Sequence, residues 1–583
     1  MAKRKTTAVA NRNGKSSKTR NPTTPSAKKP TKSFELPENL EAVANGTDVG
    51  RLQEYLKKFG YLEADKPATN DFAKIRDAGL PEATANQFDE STSAAIRAFQ
   101  KFNGLNATGV ADADTIHLMS MPRCGNPDCP NRYFAARARA GLAEFVAQGS
   151  KWSRANVTFG FENFTGDLTQ QVIVIAIRQA FLAWSRVCSL TFTEVGRGAD
   201  ISIAFRTGDH GDGSPFDGVG IVLAHGFYPP PYGGASAGDL HFDDDETWTT
   251  DSPPTGRDFL TVALHEIGHT LGLDHSADVS AVMYAFYGGI RRDLRIDDIA
   301  GIRSIYGNAS DKSTLSDTSI TSPAFETFAN RGYISWSGTD SQHRLNVMAT
   351  DEMRVWHTKI TLNETSLSGP ALATFNNRLY MAWRGVGNNQ LNIMSSSDGV
   401  NWAGKVTLGD TTFHRPALAV FNNRLVLGWT GTDSSRRLNI IQSANGTTWN
   451  GKQTLADTSI NGPGLSQLGG NLVIAWTGTD SGRHLNAMSF DGSVWKSKVT
   501  LSDTSPAGPS LATVGSQLIL GWSGTDSARQ LNTLRSVNGV NFFAKATYGD
   551  TSEFGPSIGS LGEAPIITWT GRDTAQSLNA MRI

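Results

Sequence analysis

Cysteine is scarce: the chain has three in 583 residues. A chain this long buries sizeable cores unaided, so a small scaffold held by disulfides is excluded. No apolar run approaches the length that spans a bilayer. The formal net charge is −1, which excludes wholesale electrostatic binding to nucleic acid. The amino-terminal stretch has no apolar core of the kind a secretory signal needs. Instead, residues 1–33 carry ten Lys and Arg and no acid, spaced by Asn, Ser, Thr and Pro, which reads as a disordered basic arm over residues 1–45. The length prior gives about four domains.

What is present is a concentration of histidine. Of 11 His, six fall between His210 and His275. Three of them stand in His265-Glu266-Ile267-Gly268-His269-Thr270-Leu271-Gly272-Leu273-Asp274-His275. On a helix His265 and His269, four apart, project from one face toward one ion. Gly272 sits where the helix must end and the chain must turn, a place for positive φ, and His275 then swings back as third ligand. Three protein ligands leave a tetrahedral zinc one open position for water. Glu266, next to the first ligand, is placed as the general base.

This motif, followed by Ser276 and by Met283 in VMYAFY, resembles the metzincin peptidases and, within them, the matrixins. The resemblance implies that Met283 forms a tight turn beneath the zinc as a floor, not a ligand. Matrixins usually have proline after the Met-Tyr pair; here it is Ala285. Residues 295–307 read as an amphipathic helix with Ile299, Ile302 and Ile305 on one side, similar to the last helix of that catalytic domain. Thr261, one helical turn before His265, implies an open S1′ pocket.

The other three histidines, His210, His225 and His241, with the Asp212 carboxylate make four N/O ligands, enough to close a structural zinc. The same loops are rich in oxygen donors of the kind calcium takes. The matrixin resemblance implies that Asp217, Asp243 and Glu246, with the carbonyls of Gly218, Gly220 and Val222, hold one calcium. It similarly implies a second calcium at Asp200 and Asp239, although Ala235 and Ala237 stand where the family tends to have glycine.

Upstream, Met121-Pro122-Arg123-Cys124-Gly125-Asn126-Pro127-Asp128 resembles the matrixin cysteine switch. A thiolate delivered to the open coordination position displaces the catalytic water. The resemblance implies that Cys124 is the zinc ligand of a latent state and that Arg123 and Asp128 pair to hold the loop. Residues 46–120 show helical periodicity in a pattern similar to the small peptidoglycan-binding-like domain that matrixin propeptides share. The linker over 121–149 offers Arg137 and Arg139 for activating cleavage. Whether Cys129 and Cys188 pair is not readable.

From about 150 to 308 strand and helix patterns alternate as a mixed α/β domain. The remainder, 311–583, repeats. Trp336, Trp383, Trp429, Trp476, Trp522 and Trp569 recur at near-constant spacing, each followed by Leu-Asn. Four short β-runs per unit indicate propeller blades, and six blades are expected. Ser313–Leu315 reads as a lone fourth strand that completes the last blade and removes the open edge. Turns such as SSSDGVNW look like a shortened Asp-box hairpin of sialidase-like propellers, without a sialidase triad. The repeated Trp and Asp read first as core and turn residues, with aromatic platforms for sugar rings as the alternative.

The expectation is a multidomain chain: an α-helical propeptide, a mixed α/β metzincin catalytic domain and an all-β six-bladed propeller. Its expected function is that of a latent zinc endopeptidase, supported by calcium, that cleaves protein or peptide substrates. The propeller is expected to bind a glycan or protein. No specific nucleic-acid partner and no transmembrane segment are expected. The family resemblance implies an extracellular or secreted protein, without a visible signal peptide. Two other readings are a lectin-like binding protein with a vestigial protease domain and a cell-wall hydrolase.

Overall fold

The computed structural model describes residues 45–63, 80–128, 149–250 and 256–583. The basic arm at 1–33, Cys129, Arg137 and Arg139 lie outside them. Three helices, α1 (Thr47–Lys58), α2 (Glu90–Phe102) and α3 (Ala113–Met119), build the first unit. Asp89 and Asp112 cap α2 and α3 by accepting from Thr92 N and Thr115 N, as N-cap carboxylates do. Two buried glutamines tie the helices together. Gln53 Nε2 donates to Thr84 O and Gln87 O, and Gln100 Nε2 donates to Val110 O and Thr115 Oγ1. The apolar core of this unit, including Leu52, Tyr55, Phe59, Ile96 and Phe99, runs on into Val222, Tyr284 and Phe286 of the next unit.

The central unit sets α4 (Gln170–Ser185) and α5 (Phe259–Thr270) against a sheet, with α6 (Ile296–Tyr306) closing it. Its strands are β1 (Arg123–Cys124), β2 (Asn156–Phe161), β3 (Thr191–Glu194), β4 (Ile201–Arg206), β5 (Val222–Gly226) and β6 (Leu240–Asp243), in the order β1-β5-β6-β4-β2-β3. Only the β5–β6 pair is antiparallel. A short parallel pair, β7 (Trp248–Thr249) and β8 (Arg257–Asp258), leads into α5.

The rest is strand. β9 (Lys312–Thr318) is followed by β10 (Ala324–Phe328), β11 (Arg331–Ser337), β12 (Arg344–Thr350) and β13 (Val355–Thr365), and the four-strand pattern then repeats to the carboxyl end. Five four-stranded sheets stand separately, and β10–β13 form a sixth set of four. That sixth set is not a free blade. β13 pairs in parallel with β3, Val355 opposite Phe192 and Trp356 opposite Thr193, so it ends a ten-stranded sheet shared with the central unit. Of the six blades expected, five are separate four-stranded sheets, and the sixth set, β10–β13, shares its sheet with the central unit.

The repeats have a physical reason. Each recurring Trp lies 1 % exposed in a blade core, so none is a platform for a sugar ring. A lysine from the fourth strand of the same blade lies over the ring, as Lys312 over Trp569 at 5.2 Å and Lys452 over Trp429 at 5.5 Å. The same lysines ion-pair with the carboxylates of Asp550 and Asp410. The Asn of Leu-Asn ties the third strand of a blade to its fourth: Thr361 Oγ1 donates to Asn346 Oδ1 and Thr454 Oγ1 to Asn439 Oδ1, each at 2.7 Å. In the last blade that partner is Thr314 of β9, donating to Asn579 Oδ1 at 2.7 Å. The expected strand exchange is therefore present: β9 completes the sheet of Ser557–Leu561, Ala564–Thr570 and Ser577–Arg582.

Removing β9 exposes the edge of Ser577–Arg582 as an unpaired template. Residues 319–583 expressed alone are expected to self-associate, and residues 310–583 to stay monomeric. Analytical ultracentrifugation of the two fragments checks this, and equal monomeric behaviour contradicts it.

Candidate metal centre and its latch

Helix α5 begins at Asp258, whose carboxylate accepts from Thr261 N at 3.0 Å, and carries His265, Glu266 and His269, all buried. It stops at Gly272, where φ is +97° and a Cβ would overlap Ser150 O. Only glycine suits both conditions. The chain then returns His275 to the same place. Each imidazole is oriented by an acceptor at its Nδ1: Val282 O for His265 and Leu273 O for His269, both at 2.7 Å, and Asp128 Oδ1 for His275 at 2.8 Å. This leaves the three Nε2 atoms facing inward. Burial, with further repulsion from the His275 charge, pushes His265 and His269 well below the usual imidazole pKa, so both are neutral donors.

The fourth side is filled by Cys124, whose Sγ lies 3.4 Å from His269 Nε2 and 3.4 Å from Glu266 Oε2. One donor atom each from Cys124, His265, His269 and His275 lie within 4.8 Å of one another. His275 Nε2 is buried without a hydrogen-bond partner, an orphan that a cation among these donors satisfies. Burial, then the Glu266 charge, pushes the thiol up, and a cation there favours the thiolate instead. The set of three imidazoles and one thiolate fits zinc. Burial raises the Glu266 carboxyl to about 8.

Cys124 is held by its backbone. The switch segment runs as a strand in the cleft: Arg123 N donates to Ile221 O at 2.6 Å and Gly125 N to Ala224 O at 2.8 Å on one side. On the other, Cys124 N donates to Ala285 O at 2.9 Å and Tyr287 N to Pro122 O at 2.7 Å. Ala285 contributes a carbonyl here, which the absence of proline leaves unchanged. Arg123 and Asp128 form a fully buried ion pair at 2.5 Å. Phe59 stacks on the guanidinium at 3.7 Å, and Tyr61 Oη donates to Asp128 Oδ2 at 2.7 Å. Burial alone would raise the Asp128 carboxyl; Arg123 and His275 outweigh it and hold it down at about 2. Breaking such a buried pair costs about 3–5 kcal/mol.

Met283 is buried with its Sδ against Gly268 of α5, beneath the histidines. Its turn is fixed by Asp298, which accepts from Val282 N at 2.9 Å and Met283 N at 3.0 Å. Sequence reasoning missed Asp298, Tyr61 and Asn126, whose Nδ2 donates to Gly226 O at 2.8 Å. The carboxylates in the first turn of the last helix were the available signal for Asp298. Beside Thr261, with Arg123 and Cys124 in its lining, the pocket is about 30 Å³. Arg291 is drawn into its wall, with Nη1 donating to Phe286 O and backbone N to Thr261 Oγ1, both at 3.0 Å.

A second cluster gathers His210, Asp212, His225 and His241, with donor atoms within 4.8 Å of one another. The three rings approach Asp212 Oδ2 at 2.7, 2.8 and 2.9 Å. Burial pushes His225 down to about 4, leaving a neutral nitrogen ligand, so three N and one O fit a closed tetrahedral zinc. The acids assigned to the first calcium lie in the adjoining loops. Gly220 N donates to Glu246 Oε1 at 2.7 Å and Val222 N to Asp217 Oδ1 at 3.1 Å. Asp243 Oδ2 is buried without a partner. Burial, then the charges of Asp245, Glu246 and Asp217, raise Asp243 to about 7, the mark of carboxylates gathered without a counter-ion. At the second expected calcium site the Asp200 carboxylate is already engaged, accepting from Thr158 N and Oγ1 at 2.9 and 2.8 Å. That leaves only its carbonyl beside Asp239.

Metal analysis of the purified chain is expected to return two zinc, and that of His241→Ala one, with a lowered thermal midpoint. Loss of both metals, or of neither, contradicts two independent sites.

Residues 151–307 match the Matrixin family model and residues 45–119 the putative peptidoglycan binding domain. The chain is 40% identical over 284 residues to the hatching enzyme of Paracentrotus lividus, covering 48% of this chain and 42% of that protein. It is 41% identical over 268 residues to interstitial collagenase of Sus scrofa (45% and 50%) and 40% identical over 275 residues to stromelysin-1 of Mus musculus (46% and 51%). The chain thus spans about half or less of the length of these relatives. Among the described residues no helix is long and apolar enough to cross a membrane. The segment that carries both histidine clusters, residues 151–307, is a matrixin domain, preceded by a peptidoglycan-binding-like domain and followed by a β-propeller.

Proposed function

We propose that the chain is a zinc-dependent endopeptidase made as a latent zymogen and exported to act on extracellular proteins, with the propeller directing it to a glycan or protein ligand. The single observation that carries this reading is Cys124 Sγ closing the fourth side of the cluster of His265, His269 and His275, with Glu266 against it. Zinc bound there supplies a Lewis acid for the scissile carbonyl and acidifies a water. His265, His269 and His275 hold the metal. Glu266 takes the proton of the attacking water and hands it to the leaving amine nitrogen. His210, Asp212, His225 and His241 hold a structural zinc, and Asp217, Asp243 and Glu246 a calcium, so that the loops flanking β5 keep their shape. A second calcium at Asp200 and Asp239 is the weaker assignment. Separation of residues 45–128 from the cleft removes Cys124 and opens the site.

Glu266→Ala is expected to keep its zinc and lose peptide hydrolysis by about 10²–10⁴-fold. Cys124→Ser is expected to be active without processing. Casein hydrolysis and metal content of both variants check this; turnover in Glu266→Ala, or latency in Cys124→Ser, contradicts the reading. Because residues 45–119 match a peptidoglycan-binding domain, the same variants are tested on purified cell wall. Release of wall fragments without protein cleavage favours a cell-wall hydrolase.

A further inference from the structure

The propeller's innermost strands, one per blade, surround a cavity of about 270 Å³. At one end the repeat places an X-Pro step in every blade, and X is Ser322, Gly369, Arg415, Gly462, Gly508 and Gly555. Five of these six positions are small because the ring is narrow there. A Cβ on Gly462, Gly508 or Gly555 would overlap the carbonyl oxygen of the preceding blade's equivalent residue. Only the third blade carries a long side chain, and it is a cation.

Arg415 points across the channel. Its Nε donates to Pro370 O at 2.9 Å in the second blade, and its Nη2 lies 3.3 Å from Ser557 Oγ in the sixth. Those contacts leave guanidinium N–H groups over. Among the described residues no carboxylate pairs with it, and burial with no opposing charge lowers its pKa to about 10. The other ionisable group in the channel is Glu326, which lies on the first blade, with Ala, Ser or Gly at the equivalent position of the other five. It hydrogen-bonds with Thr374, and burial raises it to about 7; Arg415 is not among the charges acting on it. Arg415 is only partly exposed, and a cation drawn out of water without a counter-ion is disfavoured. The glycine of the sister blades would avoid that cost and fit the ring.

We propose that the channel is a binding site for a small oxyanion, held by the free guanidinium N–H groups of Arg415 and the Ser557 hydroxyl. The planar fork of arginine suits carboxylate and phosphate alike. The cavity lies at the small end of ligand sites, which limits the occupant to a molecule of a few heavy atoms or to one acidic group of a larger one. This site is separate from the metal centre and does not depend on peptidase activity.

Sodium acetate and sodium phosphate are each titrated into the full-length chain at constant ionic strength balanced with Hepes, following the thermal midpoint of the propeller. Either anion is expected to raise it saturably, and the anion that acts separates a carboxylate ligand from a phosphate one. Arg415→Gly, the sister-blade residue, and Arg415→Gln, which keeps much of the side-chain volume, are expected to weaken the apparent affinity by at least about tenfold. Should Arg415→Gly fail to fold, Arg415→Gln decides. A midpoint that ignores both anions, or that responds equally in Arg415→Gln, overturns the proposal.

Discussion

One carboxylate holds the amino-terminal half of the molecule together. Asp128 pairs with Arg123, accepts from Tyr61 and orients His275, all out of contact with water. It therefore joins the helical unit, the switch strand and the third histidine in one network. Losing any partner leaves a buried charge unmatched, which makes the network all-or-none. The thiol need not bind tightly by itself. Its position follows from backbone pairing on both sides of the cleft and from the Arg123–Asp128 ion pair that brackets it. Departure of the helical unit takes Cys124 away and also removes the acceptor that orients His275.

The carboxyl-terminal half depends on closure. β9 precedes the first blade in sequence and completes the last in space, so the ring has no free edge and the chain enters and leaves it at one blade. The welding of β13 to β3 continues the sheet of the central unit into the propeller, and Phe192 N donates to Arg354 O at 2.9 Å where they meet. Arg186 and Glu352 add an ion pair across the junction. Sheet continuity restricts the orientation of the propeller more than a flexible linker would, so any ligand it holds has a defined position relative to the cleft.

Much of the metal centre was legible because its chemistry is local. His265 and His269 share a helix face by spacing alone, and Gly272 announces the turn. Cys124 and the second histidine cluster were legible through the residue types zinc requires. The residues that escaped, Tyr61, Asp298 and Asn126, act through a few hydrogen bonds to segments distant in sequence, and no periodicity marks them. Arg291 in the pocket wall escaped because the loop that carries it has no repeat pattern from which to read its path. In the propeller the repeat fixed the blade plan and the strand exchange. The weld to β3 was hidden, because a parallel pairing between strands so far apart leaves no trace in either strand's alternation. The recurrent tryptophans proved to be core, each beneath a lysine from the fourth strand of its own blade.

The central claim is that a thiolate closes a zinc site in the intact chain. Zinc K-edge X-ray absorption on the full-length protein tests it most directly. The expected result is a sulfur scatterer at about 2.3 Å that disappears when residues 45–128 are removed and is replaced by oxygen. A first shell of nitrogen and oxygen alone in the intact chain would contradict the account.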